Sequence, residues 1–393
     1  MYSEDDINSA VEAGALDASA AESFRAYMSQ VREMPRGSEE NFRLINSFND
    51  IFVSIGIVIL LIAVGSIAAS IGGLAKNVAV VGDLIATFVP AVAVAGASWA
   101  LAEFFTRRRR MALPSILLLL TYLGGAVAAA FAVVALPIAL ILGIDSISET
   151  SLNNADIGDA LGAAIIVLVA VMTGAFTTLA AYLHWKRFMV PITIAAGAGT
   201  LALVAILGIM AATEVITGSD FEFPTLILVL VAGLTIFAFA MRWDISDTGR
   251  TTRRSDVAFW LHCLAAPMIA HPLFASFGVM DGGGAVGVGS ALAILAIYAA
   301  FGLVALAVDR RALLVSALAY VLAALTFLFD KFGAVELNFA FTALVIGSAL
   351  LSLSAFWQPI RRRIVVLLPE NLQRMLPATQ DEMLPAASAA AQA

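Results

Sequence analysis

The chain contains few of the residues from which soluble enzymes build active sites. Its 393 residues include one cysteine, three histidines and only 13% charged residues, whereas an average soluble domain carries roughly 25% charged residues. The single Cys263 excludes an intramolecular disulfide framework and a metal centre built from several cysteines. No HExxH, P-loop or GxSxG motif is present. The sequence therefore predicts no cofactor and no metal site, and it gives no positive evidence for an enzymatic activity.

Long apolar runs dominate what is present. Hydrophobic residues make up 61% of the chain and the mean hydropathy is +0.95, so lipid must be the main solvent of this protein. A span needs ~20 apolar residues to cross ~30 Å of hydrocarbon. The sequence predicts an all-α, polytopic transmembrane helical bundle of about ten spans. These spans are 51–74, 80–105, 112–136, 159–183, 188–212, 223–242, 256–280, 284–308, 312–329 and 335–357.

The third run is longer than the others because it continues through Pro137 to Ile144. It is too long for one straight helix and too short for two. Proline lacks a backbone N–H and disfavours the interior of a helix. We therefore predict a break at Pro137, followed by a short segment at the membrane interface.

The basic residues are distributed asymmetrically around these spans. When the runs are threaded through a membrane, 20 of the 22 lysines and arginines fall on the side of the two termini, and only Lys76 and Lys331 fall on the other. The positive-inside rule then predicts that both termini lie in the cytoplasm. All five tryptophans lie at or near the same boundary, as half of an aromatic belt would. They are Trp99, Trp185, Trp243, Trp260 and Trp357.

Two polar ends flank the predicted bundle of residues 51–357. Residues 1–50 are predicted to form a cytoplasmic helical hairpin and an amphipathic lead-in, with Gly14 ending the first helix and Asp17 capping the second. The hairpin either docks a cytosolic or membrane protein or packs as an acidic cap on the bundle itself. Residues 358–393 are predicted to form a basic interfacial segment and a disordered tail.

Two arginine clusters at the predicted cytoplasmic boundary are expected to contact anionic lipid headgroups and to help set the topology. The net charge of -7 does not favour nucleic-acid binding, so the lipid bilayer is the partner that the sequence predicts. The two clusters are Arg107, Arg108, Arg109 and Arg110, and Arg361, Arg362 and Arg363.

The seventh run is the most unusual because it combines His262, Pro267, His271 and Pro272. Prolines free backbone carbonyls near mid-membrane, where a broken helix can line a transport pathway, and a histidine there can relay protons or bind a ligand. The alternative is a proline-kinked helix whose histidine bonds a freed carbonyl of a neighbour. The two histidines are about 180° apart on a helix, which argues against a shared metal ion.

Three stretches of the chain carry a resemblance to known sequences. They are AGALDASAAESFRAYM near the N-terminus, NDIFVSIG at the first span and FFTRRRRMALPSILLLL between the second and third spans. Together with the acidic N-terminal hairpin and the ten apolar runs, they resemble uncharacterised bacterial polytopic inner-membrane proteins of the domain-of-unknown-function type. The resemblance covers the whole layout and implies a location in the bacterial inner membrane, but it implies no activity.

Two functions are compatible with these features. In the first, the protein is a small-solute or ion transporter-like bundle whose pathway passes His271 on the seventh span. In the second, it is a non-catalytic structural or scaffolding membrane protein that recruits partners through the hairpin and its basic loops. A polar cavity that reaches His271 would favour the first, and apolar contacts all around His271 would favour the second.

Overall fold

Helices form every regular element of the part of the chain that the computed structural model describes, which is residues 7, 10–24, 48–77, 81–143, 159–217, 225–250, 252–277, 288–331 and 338–377. The longer helices are α1 (Phe48–Gly73), α2 (Gly82–Ala102), α3 (Ala112–Leu142), α4 (Asp159–Phe188), α5 (Ile192–Thr217), α6 (Thr225–Ile245), α7 (Arg253–Ala275), α8 (Val288–Val308), α9 (Ala312–Lys331), α10 (Asn338–Ala355), α11 (Trp357–Val366) and the short α12 (Glu370–Gln373). A π-helical segment, Glu103–Arg108, continues α2.

The lengths and composition of these helices confirm a polytopic membrane bundle. Among the residues described, nine helices, α1 to α9, are long and apolar enough to cross a membrane. α10 and α11 meet at a bend of 73° and together supply up to one further span. The predicted all-α bundle of about ten spans is therefore confirmed within the described residues.

The predicted polar ends lie largely outside the described residues. Within residues 10–24, Gly14 adopts the left-handed conformation (φ 67°), as a glycine that ends a helix does. The Asp17 side chain accepts a hydrogen bond from the Ser19 hydroxyl at 2.7 Å, and helix follows it. The rest of the predicted hairpin and the tail from residue 378 onwards fall in the part that is not described.

The third span differs from the prediction. α3 is continuous over 31 residues, passes through Pro137 and ends at Gly143, which has φ 66°. The predicted break at Pro137 and the separate interfacial segment are therefore wrong. At 1.5 Å per residue α3 is about 46 Å long, so it tilts in the bilayer or extends beyond the hydrocarbon layer. Membrane helices tolerate proline because neighbouring groups and local adjustments satisfy the freed carbonyl.

α7 is the most enclosed span. Of its most apolar stretch, 56% is buried inside the protein, against at most 39% for any other span. It packs on α5, α6 and α9, whereas α1 to α5 pack mainly on their neighbours in the chain. Side chains on α7 therefore have more protein and less lipid around them than those on any other span described.

Four turns between helices pass through a non-glycine residue in the left-handed region, at φ 51° to 60°. They connect α2 to α3, α4 to α5, α6 to α7 and α8 to α9. This conformation costs roughly 1–2 kcal/mol for most residues, and such outliers concentrate at functional sites. The four residues are Arg110, Met189, Arg250 and Asp309.

Candidate functional site

The residues predicted on the seventh span do not form one site. α7 is a continuous helix that includes both Pro267 and Pro272, so the expectation of a broken span is wrong. The His271 side chain is exposed, and its Nδ1 shares a 2.6 Å hydrogen bond with the Tyr320 hydroxyl of α9. The histidine thus bonds a hydroxyl group, and not the freed backbone carbonyl that the kinked-helix alternative expected.

His262 lies in a different environment, inside a buried ion cluster. Its side chain is 2% exposed, and its Nε2 donates a 2.9 Å hydrogen bond to Asp244 Oδ2 on α6. The other carboxylate oxygen, Asp244 Oδ1, accepts a 2.6 Å hydrogen bond from Arg310 Nη2. The ring of Phe237 packs edge-on against the imidazole at 5.0 Å. This first centre therefore joins α6, α7 and the turn between α8 and α9.

A second centre surrounds Asp309, the residue before Arg310. Asp309 Oδ2 accepts a 2.8 Å hydrogen bond from Arg250 Nη1, and Asp309 Oδ1 accepts one of 2.6 Å from the indole N–H of Trp357. Arg250 Nη2 also donates to the backbone carbonyls of Val308 and Asp309. Arg361 Nε lies 3.8 Å from Asp309 Oδ1. This centre ties the α6–α7 turn and α11 to the α8–α9 turn.

Further hydrogen bonds join and position the two centres. Arg310 Nη2 also donates to the backbone carbonyl of Ser255 at 3.0 Å, in the first turn of α7. Asp247 accepts hydrogen bonds from the backbone N–H and the hydroxyl of Thr252, at 3.0 and 2.7 Å. The Thr252 hydroxyl oxygen in turn caps α7 by accepting from the N–H of Arg254. The start of α7 is thus held from both sides.

The two centres form one buried ionic network. Its residues are Asp244, Arg250, His262, Asp309, Arg310, Trp357 and Arg361. Each of these side chains is at most 6% exposed. Burial of this kind is costly unless every charge is paired, and all four carboxylate oxygens of Asp244 and Asp309 accept a hydrogen bond.

The positive and negative charges of the network nearly cancel, but their sum is not zero. Three buried arginines face two buried aspartates, with Asp247 nearby at 8% exposure. Burial lowers the pKa of the Arg250 guanidinium from its ordinary value and Arg310 adds to this effect, whereas Asp309 and Asp244 raise it. Two of the four left-handed turn residues, Arg250 and Asp309, belong to the network. The surrounding fold therefore imposes the geometry of the network, and the unfavourable backbone conformation of these two residues is the energetic cost.

This network was not predicted from the sequence, where Arg250 and Arg310 serve only as basic residues that indicate the topology and Arg361 is predicted to contact a lipid headgroup. The feature of the sequence that could have indicated the network is the number of acidic residues close to these arginines in the chain. The stretch RWDISDTGRTTRRSD (242–256) and the tripeptide Asp309-Arg310-Arg311 mix both signs of charge. Headgroup-binding segments carry an excess of basic residues, so mixed charges in short turns favour internal pairing.

The two predicted headgroup clusters behave differently. Arg107, Arg108, Arg109 and Arg110 are all exposed. In the second cluster, Arg362 and Arg363 are exposed, but Arg361 is 1% exposed and its Nη2 donates to the backbone carbonyl of Pro377 at 2.6 Å. Arg361 therefore does not point to a headgroup, because the bend before α11 turns it towards Asp309.

The described residues contain no group of three or more histidine, cysteine, aspartate or glutamate side chains that could hold a metal ion. Comparison with protein-family models, with curated proteins and with solved structures finds no match. The chemistry of the site must therefore be argued from its own residues.

Proposed function

We propose that this multi-pass membrane protein is a transporter-like bundle for a small solute or ion in a bacterial inner membrane, and that the buried ionic network is its gate. The observation that carries the proposal is the Asp244–His262–Arg310 cluster, a charge group buried in the protein where α6, α7 and the α8–α9 turn meet at one end of the bundle. Charged side chains inside a membrane protein mark ion and solute pathways by default.

The free energy of buried ion pairs favours a gate over a purely structural contact between helices. Apolar side chains of similar size would hold these helices together as well as buried ion pairs do, since desolvation offsets most of the Coulombic gain. A buried network instead specifies one arrangement and loses its partners together when the elements move apart. The network joins parts of α6, α7, the α8–α9 turn and α11, so movement of any one of them breaks several bonds.

The position of the network suggests which end the gate closes. It lies at the ends of the helices that carry 20 of the 22 basic residues in the threaded sequence, and we infer from the positive-inside rule that this end and both termini are cytoplasmic. The bacterial inner-membrane location rests on the resemblance of the sequence to uncharacterised bacterial proteins.

A solute screen on the purified protein tests this function. Thermal melting of the detergent-solubilised protein is measured with a panel of inorganic ions, carboxylates and amino acids, and each hit is followed by flux into proteoliposomes. We expect at least one compound to raise the melting temperature and to be transported, and Asp244→Asn to abolish the flux. The control is Arg363→Gln, which changes an exposed charge at the same end of the bundle. A wild-type protein with no shift and no flux for any compound would favour the scaffolding alternative.

A further inference from the structure

A second group of arginines lines an open cavity of about 500 Å³. The cavity lies between the α2–α3 turn, the α4–α5 turn and the first turns of α7. We call it the basic cavity. Its charged residues and its tryptophan are Arg107, Arg110, Arg187, Arg253, Asp256 and Trp260.

The basic cavity has excess positive charge that a ligand can reach. Four arginines face Asp256, and Glu103 lies beside them, where it accepts hydrogen bonds from Arg187 Nε at 2.6 Å and from Arg107 Nη1 at 3.3 Å. Two positive charges remain unmatched after these carboxylates are counted. The side chains of Arg107 and Arg187 are 53% and 43% exposed, so the site is open.

Thr106 also lines the cavity, and it carries a buried hydroxyl group without a partner in the part of the chain that the structure describes. Thr106 is 9% exposed, and its Oγ1 has no hydrogen-bond partner among the described residues. An unsatisfied buried polar atom destabilises the folded protein. A ligand oxygen in the cavity would satisfy this hydroxyl group.

Three helices begin at the same cavity. Its lining includes the first residues of α3 and α7 and of α5, at Ala112, Arg253 and Ile192. The N-cap residue of α3, Met111, makes no side-chain hydrogen bond to the first turn. Helix N-termini present N–H groups and a partial positive charge, which favour anions. The N-termini of these three helices therefore add to the positive electrostatic potential that the arginines create in the cavity.

The backbone at the cavity is strained in two places. Arg110 (φ 54°) and Met189 (φ 51°) both line it in the left-handed conformation. Strain of this kind persists only where the surrounding structure imposes it, and it collects at binding sites.

We propose that the basic cavity binds the phosphate group of an anionic ligand. A phosphate monoester carries a charge of about -1.5 to -2 and three strong acceptor oxygens. Its charge matches the two unmatched positive charges of the cavity, and its oxygens can accept hydrogen bonds from the arginine side chains. Arginine forks recognise phosphate in a bidentate manner. Apolar residues including Ile116, Phe188 and Val190 line the rest of the cavity and suit a non-polar remainder. A lipid headgroup and a free phosphate compound share this chemistry, and the inference does not rest on the proposed gate.

Affinity measurements on the full-length protein in phosphate-free detergent test the site. The probes are short-chain phosphatidic acid, glycerol phosphate and, as a zwitterionic control, short-chain phosphatidylcholine. The cavity variant Arg110→Gln/Arg253→Gln is compared with Arg108→Gln/Arg363→Gln, which removes two exposed arginines outside the cavity lining. We expect the cavity variant to bind phosphatidic acid at least about tenfold more weakly, since each charged hydrogen bond contributes about 1.5–3 kcal/mol, and the control to bind like wild type.

A second variant guards against loss of folding. Thr106→Val keeps the shape of the side chain and removes only the hydroxyl group, so we expect a melting temperature that is unchanged or higher and roughly threefold to tenfold weaker binding. Tight binding of phosphatidic acid alone identifies the lipid headgroup as the source, and equal binding of glycerol phosphate identifies a soluble phosphate. Equal affinity of the cavity variant and the control, or no binding of either phosphate probe, would overturn the proposal.

Discussion

The buried ionic network and the basic cavity are built from the same residue types but differ in their access to solvent. Both use arginines, carboxylates, one tryptophan and left-handed turns at the same end of the bundle. In the network Asp309 is enclosed and all of its partners are protein groups, whereas in the cavity Arg107 and Arg187 are about half exposed and outnumber the acids. Enclosure therefore pairs one set of charges with each other across the helices and leaves the other set available to a ligand.

The largest effect is expected from neutralising the carboxylate at the centre of the network. Asp309→Asn keeps a residue that tolerates the left-handed conformation but leaves the buried Arg250 and Arg361 without their counter-ion. We expect the free energy of unfolding to fall by about 3–5 kcal/mol, measured by denaturation in mixed micelles. Glu103→Gln makes the same chemical change in the exposed cluster and should lower stability only slightly. Equal losses in both variants would contradict the distinction between the two regions.

The helix pair that carries part of the basic cavity should depend on apolar packing instead of ions. A Cβ at Gly125 on α3 would lie 2.6 Å from the Ala91 carbonyl oxygen and 2.9 Å from the Ala95 Cβ on α2. We therefore expect Gly125→Ala to lower the free energy of unfolding by about 1–3 kcal/mol.

The neighbouring glycine supplies a control for that experiment. A Cβ at Gly124 would meet nothing within 4 Å, so Gly124→Ala should be neutral or stabilise the helix by up to ~1 kcal/mol. Thermal melting of both variants in the same detergent measures the difference. A stable Gly125→Ala protein would show that α2 and α3 are not in close contact.

A loss smaller than that of Asp309→Asn is expected when the network loses one neutral hydrogen-bond donor. Trp357→Phe removes the indole N–H that donates to Asp309 at 2.6 Å but retains a ring beside Arg311. The expected cost is about 1.5–3 kcal/mol because the acceptor is charged. In a double-mutant cycle with Asp309→Asn, the effect of Trp357→Phe should shrink, since the shared partner is already altered. Strict additivity would mean that the two residues are not coupled.

A change in salt concentration should have the smallest effect on the melting temperature. Of the two regions compared, it should act on the exposed ion pairs of Glu103 and not on the buried network. Raising the salt from about 0.1 M to about 1 M shortens the screening length from ~10 Å to ~3 Å, which weakens exposed pairs far more than buried ones. We expect a slight fall in the wild-type melting temperature that Glu103→Gln removes. The melting temperature of Arg363→Gln, which changes another exposed arginine, should retain the wild-type dependence. A salt effect that survives in Glu103→Gln would assign the sensitivity to other charges.

The spans were predictable from the sequence because they depend on a property that sums over many residues. Runs of about twenty apolar residues recur with basic turns between them, and the observed helices follow them closely. The predicted break at Pro137 was wrong because the rule that proline ends a helix describes helices in water. In a membrane protein, neighbouring groups can satisfy the carbonyl that proline leaves without a hydrogen bond.

The network was not predictable in the same way because it depends on where single side chains point. Trp357 and Arg361 have the composition of an interfacial anchor, yet the 73° bend between α10 and α11 turns both of them inwards. Asp244 and Arg310 are 66 residues apart in the chain, and no local pattern pairs them. His262 was singled out by residue type alone, and its partner emerged only from the packing of α6 on α7.

The central claim, that the ionic network opens, is tested most directly by cysteine labelling. Single cysteines are introduced in a Cys263→Ala background at Ala305, beside the network, and at Ala324, in the apolar cluster of α9; both alanines are 0% exposed. A maleimide reagent is applied to membrane vesicles, after melting curves show that both variants are folded. The account predicts that Ala305→Cys is labelled much faster than Ala324→Cys, and faster still with Arg310→Gln. Equal and negligible labelling at both positions, with or without Arg310→Gln, would contradict a gate and indicate a permanently closed network.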